Sequence, residues 1–169
     1  TALPGLTALP VTDRDEARFA QATKQMLETG DLVDIRFQDA PRWKKPAGIY
    51  WMQAGAASLF GGTEAAIAAY RLPSVLGMVG GAVLAVWALW PLAGGRAATL
   101  AGLMLATTLL AIGEANIAKT DAMMLLTSVA VLGGLVRLMP GVARPGWGTW
   151  ALVWGAVGVS GLLKGPIVA

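Results

Sequence analysis

Four clusters of residues in this chain have the types and spacing to do chemistry. The first is Asp15-Glu16, with Arg18 one helical turn on. A carboxylate at such a position can act as general base toward a hydroxyl or orient a cationic group. It can equally serve the helix start, because Thr12-x-x-Asp15 fits a capping-box pattern. The second is Lys44-Lys45-Pro46 after Trp43, two ammonium groups that suit a phosphate or else form a solvated turn. The third is Lys119-Thr120-Asp121, opposite charges two apart, and the fourth is Lys164-Gly165-Pro166. Each of the last two reads as a polar contact to a shared site or as charge at the end of a membrane span. The chain has no His and no Cys, so Ser-His-Asp, Cys-His, His-zinc and haem-His sites are excluded within it. Any acid–base work falls to carboxylates, Lys or Tyr.

The elements that must hold these residues follow from the distribution of charge. Of 169 residues, 56% are hydrophobic and 14% charged, against about 25% charged in a soluble domain. Residues 11–71 hold 8 of the 13 Lys and Arg and 8 of the 10 acids. From 72 on, only Arg96, Glu114, Lys119, Asp121, Arg137, Arg144 and Lys164 carry charge. Disorder and a cysteine framework are excluded. The net charge of +3, with dispersed basic residues, gives no sign of nucleic acid.

The uncharged runs 72–95, 97–113, 122–136 and 145–163 predict four membrane spans joined by short loops, with Trp87 and Trp90 as interfacial anchors and Arg137 snorkelling. Gly77 and Gly81, and Gly155, Gly158 and Gly161, predict close helix packing. Arg96, Arg137 and Arg144, with no acid in their loops, place that side in the cytoplasm. Residues 12–71, Lys119, Asp121 and Lys164 then face outside. Residues 1–11 read as the end of an earlier span, and the start at Thr1 and the apolar Pro166–Ala169 lead us to expect a longer protein on both sides. Within 12–71, a helix is predicted from Asp13 to Thr29, stopped by Gly30, then a loop over 31–48. Residues 49–60 predict a second helix lying in the membrane interface. The fold class is therefore all-α: a multi-span helix bundle with amphipathic interfacial helices in a long first outer loop.

The order of Asp13-Arg14-Asp15-Glu16-Ala17-Arg18-Phe19-Ala20, Arg42-Trp43-Lys44-Lys45-Pro46-Ala47-Gly48-Ile49-Tyr50-Trp51, Lys119-Thr120-Asp121 and Leu163-Lys164-Gly165 resembles the GT-C class of lipid-dependent membrane glycosyltransferases. Within it, the order is most similar to the bacterial aminoarabinose–lipid A transferase and protein O-mannosyltransferase-like branch. The resemblance implies inverting transfer of a sugar from a polyprenyl phosphate to a lipid, glycan or protein acceptor at the outer face of the inner membrane. It implies Asp15 as the catalytic acid-motif residue and Glu16, Arg18, Lys44, Lys45, Lys119, Asp121 and Lys164 as substrate-binding residues, with Lys45 and Lys164 near the donor phosphate. No resident cofactor is implied with certainty. A divalent metal ion is admitted, but the family's Glu-Lys-Pro, whose Glu helps hold the metal, is Lys44-Lys45-Pro46 here, and its Tyr is Phe19. A transporter or flippase of polyprenyl-linked substrates is the competing reading. Transporters, however, place polar groups at the bilayer midplane on broken helices, whereas here they fall at span ends.

Overall fold

The computed structural model describes residues 3–11, 13–142 and 146–165. Helix dominates: α1 (Leu3–Ala8), α2 (Arg14–Thr29), α3 (Gly48–Leu59), α4 (Ile67–Thr107), α5 (Leu109–Ala115), α6 (Asp121–Leu138) and α7 (Trp147–Lys164). By length and composition, α4 and α6 are each able to cross a membrane.

Asp13 starts α2. Its Oδ1 accepts from the backbone N–H of Asp15 at 2.7 Å and of Glu16 at 3.2 Å, which satisfies two of the donors that every helix start leaves open. The cap is therefore Asp13 and not the expected Thr12-x-x-Asp15 box; Thr12 itself lies outside the described residues. Gly30 ends the helix at φ 71°, its N–H donating to the Met26 carbonyl. Glu16, Phe19, Ala22, Thr23 and Met26 recur at helical spacing and form the buried face.

The expected loop over 31–48 contains a small antiparallel hairpin, β1 (Arg36–Phe37) and β2 (Ala40–Pro41). Gln38 sits at its tip with φ 57° and is held from α2: Gln25 Nε2 donates to the Gln38 carbonyl at 2.8 Å and Gln25 Oε1 accepts from its N–H at 2.9 Å. Two residues per strand leave no alternating pattern to detect, and the amide clamp comes from another element. In α3, Ile49, Tyr50, Gln53, Ala54 and Ala57 face inward, while Trp51 is exposed on the other side.

The chain reverses inside α4. Gly94, at φ 76° and ψ 165°, breaks the helix, and Arg96 lies exposed just beyond. The second arm folds back on the first, so a Cβ on Gly102 would collide with Val86 and come within 2.9 Å of the Ala82 carbonyl. The expected span 97–113 is not one helix. Thr108 interrupts it with ψ 140°, and its hydroxyl accepts from the Ala111 N–H to start α5. Thr107 and Thr108 hydroxyls also donate back to the carbonyls of Leu103 and Leu105, the local competition that weakens a helix interior.

Small residues do set the helix packing, but at other places than expected for α7. A Cβ on Gly77 would lie 2.7 Å from the Ala122 carbonyl, so α4 and α6 meet backbone to backbone there. A Cβ at Gly155, Gly158 or Gly161 would meet nothing within 4 Å among the described residues. Instead α7 buries Val153, Ala156, Ser160 and Leu163, and Val153 fills the space above Gly134 of α6. Arg137, half-buried, has its guanidinium 4.2 Å from the Trp87 ring centroid and donates to the Trp87 carbonyl at 2.7 Å.

The two glycines of α4 are thus unequal. Gly77→Ala is expected to cost about 1–3 kcal/mol by forcing α4 from α6. Gly81→Ala, whose Cβ would sit at an ordinary 3.5 Å from Leu125, is expected to be neutral or to stabilise by up to about 1 kcal/mol through helix propensity. Thermal unfolding in detergent distinguishes them; equal midpoints would contradict the backbone contact.

Candidate active site

The site is assembled around a buried ion pair. Glu16 and Arg71 are each 1% exposed, and they pair in a fork: Nε to Oε1 at 2.7 Å and Nη2 to Oε2 at 3.0 Å. Oε1 also accepts from the Ala118 N–H at 3.0 Å. Arg71 Nη1 donates to the carbonyls of Gly5, Leu6 and Leu9 at 3.2, 3.0 and 2.9 Å, closing the C-terminal end of α1. One guanidinium therefore ties α1, the first turn of α2, α4 and the 116–120 loop together. This corrects the reading of Glu16 as a substrate contact, since both its oxygens are taken by protein donors. The sequence reading gives no role to Arg71, the residue just before the uncharged run 72–95. A basic residue at the edge of an apolar run is ordinarily an interface marker, and nothing local in the sequence points to a partner 55 positions away.

The loop after α5 is held from three sides. Besides Glu16, Gln53 Nε2 of α3 donates to the Ala118 carbonyl at 3.3 Å, with its Oε1 taking the Thr23 hydroxyl at 2.8 Å. Ser74 of α4 donates to the Ile117 carbonyl at 2.7 Å. These contacts set Lys119 and Asp121. Lys119 Nζ pairs with Asp13 Oδ2 at 2.5 Å, and Lys164 Nζ pairs with Asp121 Oδ1 at 2.6 Å. The hydrogen bond from Lys119 draws the Asp13 carboxyl below its ordinary range against the opposing effect of burial, with the N–H groups of Asp15 and Glu16 adding to it. Burial works against the Lys119 charge, but the bond to Asp13 and the carboxylates of Asp13, Glu114 and Asp121 together hold its pKa above the usual lysine value. Both groups are ionised at neutral pH. Oε2 of Glu114 is buried with no hydrogen-bond partner among the described residues.

Asp15 is the opposite of Glu16. Its side chain is 54% exposed, and its nearest cation, Arg18, stands off at 3.8 Å. Asp13 performs the capping, so the Asp15 carboxylate is left free to accept a proton or a hydrogen bond. Lys44 is exposed and Lys45 half-buried in the turn before α3, and neither forms an ion pair with a described residue. Structure thus joins Lys119 to Asp13 and Asp121 to Lys164, and leaves Asp15–Arg18 and Lys44–Lys45 on separate exposed segments.

A hydrophobic cluster links those segments. Phe19 and Tyr50 rings lie 5.4 Å apart and pack in one cluster with Leu163. Phe19 follows Asp15 by one turn, Tyr50 opens α3 after Lys45, and Leu163 precedes Lys164. Arg42 covers this cluster, 5.2 Å from the Phe19 centroid, donating Nε to the Tyr50 hydroxyl at 2.7 Å. Burial pushes the Tyr50 hydroxyl pKa up, with Arg42 opposing. Beside α3, Trp51, Met52, Leu59, Phe60, Leu76 and Met123 are among the residues lining an apolar cleft of about 550 Å³.

Among the described residues no group of three or more metal-ligating side chains lies together.

In fold the chain is similar to ArnT, a glycosyltransferase of the GT-C class. The chain superposes with a TM-score of 0.88 on the crystal structure of ArnT from Cupriavidus metallidurans in the apo state, at 25% identity, covering 99% of this chain and 31% of that one. Against the same protein bound to undecaprenyl phosphate the TM-score is 0.90. In sequence it is 31% identical over 162 residues to the undecaprenyl phosphate-alpha-4-amino-4-deoxy-L-arabinose arabinosyl transferase of Aeromonas salmonicida, covering 94% of this chain and 29% of the relative. The transferase of the same name from Yersinia pestis (strain Pestoides F) is 30% identical over 177 residues, covering 95% and 31%. No protein-family model matches. The chain is thus homologous, over nearly all of its own length, to the aminoarabinosyl transferases, and it spans less than a third of theirs.

The Asp13–Lys119 tie gives a pH signature. Asp13 titrates below its ordinary 3.8 when folded, so its contribution is complete above that value and lost as pH falls through the lowered one. Lys119 titrates above 10.5, so its contribution is complete below that value and lost as pH rises past the raised one. Asp13→Asn is expected to lower the thermal midpoint across the neutral range, with the difference from wild type shrinking as pH drops below about 3.8. A difference that persists undiminished in acid would exclude the tie.

Proposed function

We propose that this protein transfers a sugar from an undecaprenyl-phosphate carrier to a lipid acceptor at the outer face of the inner membrane, with inversion at the anomeric carbon. The observation that carries this reading is the contrast between adjacent acids: Glu16 is locked away and holds the helix start, while Asp15 is presented free beside it. Homology to transferases named for an undecaprenyl-phosphate amino sugar supports the donor class. Four spans, with residues 12–71 outside, suit this chemistry. Arg96 and Arg137 lie toward the Gly94 turn, away from the end that carries Asp13, Lys119, Asp121 and Lys164.

In this mechanism the acceptor hydroxyl oxygen attacks C1 of the sugar and Asp15 takes its proton. The bond between C1 and the phosphate oxygen breaks, and its electron pair leaves with the carrier phosphate. Arg18, Lys45 and Lys164 balance the charge that develops there. Lys164 can do so because its pair with Asp121 is partly exposed, 33% and 44%, and can exchange partners. Asp121 and Lys119 position sugar or acceptor hydroxyls. A single carboxylate suffices for an inverting displacement, since no covalent intermediate forms.

The test uses the full-length protein in liposomes with undecaprenyl-phosphate sugars, following release of carrier phosphate. Asp15→Asn is expected to lower turnover by roughly 10²–10⁴-fold with donor binding retained. Wild-type turnover in the variant would return Asp15 to a helix-end role. Lipid movement across the bilayer without release of carrier phosphate would favour a flippase.

A further inference from the structure

Resting on the donor class proposed above, we propose that Arg42 is a further donor-binding residue that grips the phosphate of the polyprenyl carrier. The sequence motif contains it, but neither the motif nor the mechanism assigns it a role. Its surroundings are unusual for a half-buried cation. No carboxylate pairs with it among the described residues. Instead its guanidinium lies over Phe19 at 5.2 Å and near Phe37 at 5.9 Å. Nε is committed to the Tyr50 hydroxyl, and the Nη1–Nη2 edge donates to no described residue. Aromatic faces and a phenol hold the group in one orientation without neutralising it. An oriented planar cation with an unused pair of donors is matched by a phosphate, which it can bind in bidentate fashion.

Position agrees with this. Arg42 packs on Phe19 and Tyr50, two members of the cluster that also contains Leu163. Those three residues carry, one to five positions away, Asp15, Arg18, Lys45 and Lys164. Arg42 therefore stands between the helix turn that presents the base and the turn that presents the lysines. By contrast, the buried Arg71 has an acid partner, Glu16, in a fork that occupies it.

The experiment measures binding of undecaprenyl phosphate and of undecaprenol to the full-length protein in nanodiscs, for wild type, Arg42→Gln and Arg42→Lys. Arg42→Gln keeps a side-chain amide for the Tyr50 hydroxyl. It is expected to bind undecaprenyl phosphate at least ~10-fold more weakly, with undecaprenol unchanged. Arg42→Lys, which keeps charge but loses the fork, is expected to fall between. Undecaprenyl phosphate affinity within twofold of wild type in Arg42→Gln would overturn the assignment. Equal losses for both lipids would overturn it too, as a packing effect. Should Arg42→Gln fail to fold, Arg42→Lys decides by the same comparison, and unchanged affinity there overturns the proposal. Displacement of the lipid by inorganic phosphate at equal concentration would overturn the lipid assignment. Failure of the transferase reading is seen separately, as wild type that binds undecaprenyl phosphate in an Arg42-dependent way yet releases none from any sugar donor.

Discussion

The Glu16–Arg71 ion pair is the constraint on which the rest of this structure depends. A carboxylate and a guanidinium, both withdrawn from water, are tolerable only if nearly every donor and lone pair finds a partner. Here the partners are the two side chains, the Ala118 N–H and the carbonyls at the end of α1. Four segments, drawn from between residues 5 and 118, are therefore fixed by one arrangement of charges. Hydrophobic contact alone would let α2 slide or rotate over the membrane-type helices, because apolar packing is not directional. A forked ion pair with defined angles does not allow it.

That constraint explains how neighbouring carboxylates come to have different roles. Along a helix, successive residues point about 100° apart, so burying Glu16 against α4 turns Asp15 toward the surface. Asp13, outside the helix, closes the first turn and pairs with Lys119. One short acidic segment thus supplies a cap, an anchor and an exposed carboxylate. Any two of these could exchange roles on composition alone. The position of Arg71 decides which is which.

What the sequence discloses and what it hides follow the same division. Helices α2, α3, α6 and α7 are visible in apolar periodicity, in Gly30 as a stop and in uncharged runs, because those signals are local. The reversal at Gly94 falls between two runs separated by Arg96, and the backbone contact at Gly77 is implied by small-residue spacing. Hidden were the break at Thr108, which looks apolar on either side, and the face through which α7 packs. Three glycines suggested one face, whereas Val153 against Gly134 settled another. The partner of Arg71 was hidden for the same reason. Pairing across 55 positions leaves no mark on either neighbourhood.

The charged groups near the candidate site further divide by whether the protein has already neutralised them. Glu16, Arg71, Asp13 and Lys119 are matched internally and maintain geometry. Asp121 and Lys164 are matched but partly exposed, so their pairing can yield to a ligand. Asp15, Lys44, Lys45 and Arg42 have no tight ionic partner among the described residues. The sugar transfer proposed here needs both kinds. Charges that never change partner keep the site from relaxing, and unpaired charges of both signs meet the proton released and the anion formed. In the proposed transfer Asp15 stands on the acceptor's side of that balance, and Lys44, Lys45 and Arg42 stand on the side of the leaving phosphate.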